Sequence, residues 1–112
     1  MKIKKITKFL KIILPKNVIG ITLCPFGIYI DDLTNIYTIN HENIHWQQQL
    51  EMGVLLFYIF YFFEWLIKYF LTKDAYMNLS FEREAYNNEY NLNYISSRKH
   101  YSWVKYLFYN KK

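Results

Sequence analysis

Cysteine is nearly missing from this chain. Cys24 stands alone, which excludes an intrachain disulfide and any metal cluster built from thiolates. A reducing compartment suits such a chain and secretion is not demanded. Proline occurs twice and glycine three times in 112 residues, too rarely for a collagen-like or low-complexity sequence. Acidic residues are also in short supply, nine against fourteen Lys and Arg, and the resulting net charge of +5 favours an acidic surface such as anionic lipid. The basic residues spread over both ends, and no recognition helix, RNA-binding sheet or zinc-finger pattern accompanies them, so nucleic acid is not an expected partner. The basic start Met1 to Leu14 lacks an unbroken apolar run and a small-residue cleavage site, and is read as retained.

Apolar residues are abundant by contrast. They make up 53 % of the chain and aromatics 21 %, which is too apolar for disorder. At this length residues 1–112 form a single domain. So much Phe and Tyr on a small domain implies that part of its apolar surface meets something other than its own core.

Histidine occurs three times, and two of the three fall in His41-Glu42-Asn43-Ile44-His45. On a helix, positions i and i+4 lie one above the other, about 5.4 Å apart, so both imidazoles address one point. Glu42, rotated by about 100°, is placed to reach a water on a shared ion rather than the ion itself. This is the HExxH arrangement of zinc hydrolases. A composition-matched shuffle would contain it with a probability on the order of 0.003.

Residues 1–15 carry Ile3, Ile6, Leu10 and Ile13 at helical spacing among lysines, which predicts a basic amphipathic helix stopped by Pro15. Residues 18–39 read as a small antiparallel sheet of two or three strands, Val18 to Cys24, Ile28 to Ile30 and Ile36 to Ile39, with a turn at Pro25-Phe26-Gly27. Asn40 is the expected N-cap of a helix that carries the histidines and continues through residue 71. Its second half, Gly53 to Leu71, is long and apolar enough to be considered membrane-spanning. Two features argue otherwise. Six lysines precede residue 17 and seven Lys or Arg follow residue 72, so the flanks carry no orientation signal, and Tyr58, Tyr61, Glu64 and Lys68 draw one polar line along the rod.

The pentapeptide needs a third ligand. Ser80 is a plausible N-cap for a helix over residues 80–97, on which Glu82, Tyr86, Glu89 and Asn93 share a face; Glu82, Glu84 and Glu89 are the candidates. HExxH followed by Glu82-Arg83-Glu84-Ala85, a Glu-x-x-Ala, resembles the gluzincin branch of zinc metallopeptidases. Gly20 to Phe26, His41 to Gln49 and Ser80 to Tyr86 together look like a group of small uncharacterised HExxH proteins of Bacteroidetes-type bacteria. That resemblance implies His41, His45 and Glu82 as zinc ligands and Glu42 as general base. One position departs from it: many gluzincins have Asp four residues after the ligand Glu, to orient a histidine, and here Tyr86 stands there.

Convergence of these ligands constrains the path. A straight helix over 45–71 would carry its end about 39 Å from His45, a distance that residues 71 to 82 only just span when fully extended. Either a bend in the apolar helix near Gly53 or a nearly straight return strand through Thr72 to Leu79 is required, the bend being preferred, and a single membrane crossing between the ligands is excluded by a shared ion. Residues 101–109 read as a short aromatic C-terminal helix. His100, Tyr86 and Tyr90 are the further candidates for stabilising an oxyanion.

The expectation is thus an α+β, minimal zincin-like domain: a small sheet, a long HExxH helix and a second ligand-bearing helix. It would act as a Zn²⁺-dependent hydrolase, a peptidase on peptide or protein substrates, with His41, His45 and Glu82 on the metal and Glu42 and Tyr86 in catalysis. The alternative is a non-catalytic, membrane-associated binding protein whose metal is structural or absent. The expected location is the cytoplasm, with the inner face of the membrane as the attachment surface.

Overall fold

The fold is α+β. A computed structural model describes residues 3–8, 19–23 and 27–107. The strands are β1 (Ile3–Lys5), β2 (Gly20–Leu23) and β3 (Gly27–Ile30). The helices are α1 (Ile36–Met52), α2 (Val54–Leu71), α3 (Ala75–Asn78), α4 (Ser80–Asn88) and α5 (Tyr94–Ser97), followed by a 3-10 turn over Ser102–Tyr106.

The three strands lie in the order β1-β3-β2, and the sheet is mixed rather than purely antiparallel. β2 and β3 pair antiparallel as expected, with Ile21 opposite Tyr29. β1 joins β3 in parallel, Ile3 opposite Ile28 and Lys5 opposite Ile30. Residues 3–5 are therefore strand where helical spacing predicted helix. The open edge of β3, whose Ile28 and Ile30 are fully buried, takes this segment as a backbone partner, and pairing overrides a weak local periodicity. Residues 9–18, Cys24 at the end of the expected first strand, and Pro25 and Phe26 of the expected turn lie outside the described residues.

Ile36 to Ile39 is not a third strand of that sheet but the first turn of α1. The cap lies five residues earlier than expected: Asn35 Oδ1 accepts from the N–H groups of Tyr37 and Thr38, both at 3.1 Å. Those two bonds satisfy helix-terminal donors and hold a β-branched run in helical form. Starting the helix here leaves Asn40, the cap expected from sequence, free for another task. Its Nδ2 donates to the carbonyls of Asn88, Glu89 and Asn91 at 3.3, 2.8 and 3.0 Å. Capture of these carbonyls ends α4 at Asn88, so the expected single helix over 80–97 is two helices with a turn between them.

The bend expected near Gly53 is present. Gly53 has φ 72°, a backbone region that favours glycine, and it separates α1 from α2. The polar line on α2 then faces the rest of the domain. Glu64 accepts from the backbone N–H of Ser80 at 2.8 Å and from its hydroxyl at 2.6 Å, placing a carboxylate at the N-terminus of α4. Ser80 is accordingly the first residue of α4 and not its cap. Lys68, buried, pairs with Glu64 at 2.7 Å and donates to the Asn78 carbonyl.

Met52, Phe57, Phe81 and Trp103 form the core where α1, α2, α4 and the 3-10 turn meet. Aromatic packing there includes Phe81 against Phe57 and Trp103, centroids 4.8 and 4.7 Å apart. The C-terminal segment is fastened by Arg98, whose guanidinium bonds Glu51 of α1 at 2.7 and 3.1 Å and Glu84 of α4 at 2.5 and 3.0 Å. The expected helix over 101–109 is represented by the 3-10 turn, which follows Tyr101 at φ 62°; residues beyond 107 lie outside the described set.

Candidate metal centre

α1 and α4 cross so that His41, His45 and Glu82 meet, all three buried. His45 Nε2 lies 3.2 Å from His41 Nε2 and 3.1 Å from Glu82 Oε1, and His41 Nε2 lies 3.4 Å from the same oxygen. A tetrahedron with metal–ligand distances of about 2.0 to 2.1 Å has edges of about 3.3 to 3.4 Å. The three atoms therefore already form one face of a zinc-sized tetrahedron.

The hydrogen-bond network decides what that face can accept. Gln48 Nε2 donates to the Phe81 carbonyl at 3.0 Å and to Glu84 Oε1 at 2.9 Å, which turns Gln48 Oε1 toward His45. His45 Nδ1, 2.8 Å from that oxygen, must then carry the proton. His41 Nδ1 donates to Glu89 Oε1 at 2.7 Å. With both Nδ1 atoms committed as donors, the two Nε2 atoms face each other and a carboxylate; a proton on an imidazole or a bound cation can fill the space between them, and a His-His-Glu donor set fits Zn²⁺.

Ionisation follows the same logic. Burial disfavours the charged form of His41, but hydrogen bonds to Glu82 and Glu89 and the nearby Glu42 charge outweigh it and push the pKa up to about 10. His45 is likewise buried and raised by Glu82. Burial opposes the Glu82 charge, yet the two imidazoles hold its carboxyl well below the usual carboxylate range.

Glu42 sits one step around α1, its Oε2 4.0 Å from His41 Nε2. Its other oxygen accepts from Thr22 Oγ1 of β2 at 2.8 Å, and the same hydroxyl lies 2.9 Å from the Glu42 carbonyl. The approach of β2 to α1 depends on Gly20. A Cβ there would come within 3.2 Å of Glu42 Cγ and of Ile30 Cγ2. A cleft of about 290 Å³ opens beside the cluster, bordered by Gly20 to Leu23, Glu42, His45, Gln49, Phe57, Tyr58, Tyr61, Tyr76 and Glu82.

Of the other carboxylates considered as ligands, Glu89 supports His41 from behind and Glu84 anchors Gln48, Tyr94 and Arg98. The position four residues after Glu82 holds Tyr86, and the orienting carboxylate is instead Glu89, seven residues on. Tyr86 packs edge-on against His41, centroids 4.5 Å apart, and its hydroxyl lies 3.2 Å from that of Tyr76. Tyr90 is exposed and rests on Tyr37; the His100 side chain is 80 % exposed, with Nδ1 3.5 Å from Glu51. None of the three oxyanion candidates read from the sequence, Tyr86, Tyr90 and His100, is among the residues that border the cleft, whereas Tyr76 and Tyr61 are.

Sequence reasoning missed Thr22, Gln48 and Tyr76. Gln48 lies at i+3 from His45 and its position on the same helix face was a usable signal. Tyr61 donates to Glu82 Oε2 at 3.0 Å and lay on the polar line already read from α2. No family model, curated protein or solved structure matches this chain.

Proposed function

We propose that the protein is a zinc-dependent hydrolase of the peptidase type, with His41, His45 and Glu82 as the metal ligands and Glu42 as the general base. The observation that carries this reading is the zinc-sized triangle of ligand atoms with the Glu42 carboxylate facing the same cleft. Bound there, zinc would polarise a substrate carbonyl and lower the pKa of a water.

The chain's own residues supply the rest. Thr22 fixes one oxygen of Glu42, leaving the other to take a proton from the attacking water and deliver it to the leaving amine. Gln48 and Glu89 keep both histidines in the tautomer that presents Nε2. Tyr61 occupies the second oxygen of Glu82, which favours ligation through the first. Burial and the Glu82 charge raise the pKa of Tyr76, which keeps its hydroxyl a donor on the cleft wall.

Ile36 to Ile39 is helical, so β2 is the strand that would hold an extended substrate in this reading. Among the described residues β2 has a single strand neighbour, and Ile19 O accepts from Asp31 N at 2.8 Å. Antiparallel alternation then turns the backbone groups of Gly20 and Thr22 away from β3, on the side of the cleft; the Thr22 carbonyl accepts from Gln49 Nε2 at 3.1 Å, and the Gly20 groups and the Thr22 N–H are the ones a peptide can pair with.

Metal analysis of purified protein is the first test. About one zinc per chain, lost in His45→Ala, is expected. Glu42→Gln should keep the metal and lower peptide turnover by about 10² to 10⁴-fold. Turnover unaffected by Glu42→Gln would show a structural metal in a non-catalytic binding protein.

A further inference from the structure

Helix α2 is amphipathic with its faces reversed relative to a helix in a water-soluble domain. Among the described residues it is the helix long and apolar enough to cross a membrane, yet only 11 % of it is buried. At 100° per residue its covered side, which holds Tyr61, Glu64 and Lys68, occupies the arc packed on the domain. The exposed side spans about 220° and runs from Tyr58 and Tyr69 through Leu55, Phe63 and Ile67 to Phe60 and Leu71, with the Tyr58 and Tyr69 hydroxyls as its side-chain polar groups.

We infer that α2 lies in the plane of an anionic lipid bilayer with this arc in the acyl region, and that the cleft opens at the lipid–water boundary. Three observations select lipid as the occupant. A packed protein neighbour covers a stripe about 100° wide and would leave half of this arc in water, whereas acyl chains surround a convex rod. The net charge of +5 complements anionic headgroups. The orientation follows from the polar side: Tyr61 meets Glu82, Glu64 meets Ser80 and Lys68 meets Asn78, so α3 and α4 accompany α2 along its length. A perpendicular helix would drag Glu82, Arg83 and Glu84 into hydrocarbon, and a helix lying flat keeps them on the aqueous side. Phe57, Tyr58 and Tyr61 of α2 border the cleft, so its mouth adjoins the margin of the arc. On the hydrolase reading, on which this last step rests, the substrates are polypeptide segments held at a membrane surface.

The test uses the full chain with Cys24→Ser and single fluorescent labels at Leu56→Cys, Phe63→Cys or Phe70→Cys, which lie on one line of the helix about 21 Å from end to end. Depth is read by nitroxide-lipid quenching on phosphatidylcholine–phosphatidylglycerol vesicles. Equal depths at the three sites, with a label at Ile21→Cys at headgroup level, are expected. A depth gradient along the line would show a crossing helix and overturn the inference. Absence of quenching, with or without a doubled mass in solution, would overturn it too. A Phe63→Asp, Phe70→Asp double variant with unchanged circular dichroism should no longer float with vesicles, and retained flotation would count against the arc as the lipid contact. For the substrate class, one peptide is compared with and without a palmitoyl anchor on the vesicles. Turnover raised about tenfold or more by the anchor is expected from colocalisation, and equal turnover refutes that class. Cleavage of neither peptide, with equal label depths, would remove the hydrolase reading and leave the membrane placement standing.

Discussion

The histidines of the cluster are defined by what stands behind them. Glu89 and Gln48 fix the protons on Nδ1, and groups in this position usually contribute 10 to 100-fold to metal affinity. Glu89→Gln and Gln48→Leu should each weaken zinc binding by about that factor, measured by competition with a chelator, while leaving secondary structure intact. The pH dependence has a definite sign. In metal-free protein His41 has its pKa raised from 6.5 to about 10, so the stability its proton contributes is complete below about pH 6.5 and is lost as pH rises through about 10. Zinc competes with that proton. Apparent zinc affinity should therefore climb over the same interval, and a pH-independent isotherm between pH 6.5 and 9 would contradict the arrangement. The convergence of the candidate ligands His41 and His45 was legible in the sequence, because HExxH states a geometry in five letters. Glu89 was legible as a face partner of Glu82, but not as the partner of His41, since that pairing depends on how α4 crosses α1. Thr22 carried no local signal at all: its link to Glu42 spans twenty residues and exists only through sheet packing.

Among the elements, two features give α1 and α4 their limits. Asn40 holds three carbonyls after α4, and Asn40→Ala should destabilise the fold by about 1 to 3 kcal/mol in urea titrations, because those acceptors lose a buried donor. Gly53→Ala has open space around the new methyl, so its cost arises from the backbone alone: at φ 72° and ψ 133° an L residue is strained by about 1 to 3 kcal/mol. The bend at Gly53 was deducible from chain reach, and the polar line on α2 from helical spacing. Boundaries were harder. Ile36 to Ile39 has the composition of a strand, and only the cap bonds of Asn35 reveal why it is helical. Ile3 to Lys5 has the spacing of a helix, and only the vacant side of β3 makes it a strand.

At the scale of the whole molecule, the candidate metal site and the fold depend on the same few ties. Glu84 links Gln48, Tyr94 and Arg98, and Arg98 continues to Glu51, so a short chain of buried polar contacts runs from the candidate metal ligand His45 to the C-terminal segment. If zinc binds the folded state selectively, its removal by chelation should lower the melting temperature, and 100-fold excess over the dissociation constant corresponds to about 2.7 kcal/mol. Re-addition should restore it, and His45→Ala should show neither response. The α+β class was readable from the pattern of elements, and the surplus of Phe and Tyr foretold the uncovered face of α2. How α3 and α4 fold back along that helix was not readable, because Glu64 and Lys68 meet their partners ten to sixteen residues later.

Those partners also set an order of events during synthesis. When α2 leaves the ribosome, Ser80, Glu82 and Arg98 are still inside the exit tunnel. The nascent helix thus emerges with its greasy arc bare and with Glu64 and Lys68 able to neutralise only each other. The two histidines, already outside, must wait for the segment that carries Glu82 before the pocket for a cation can close.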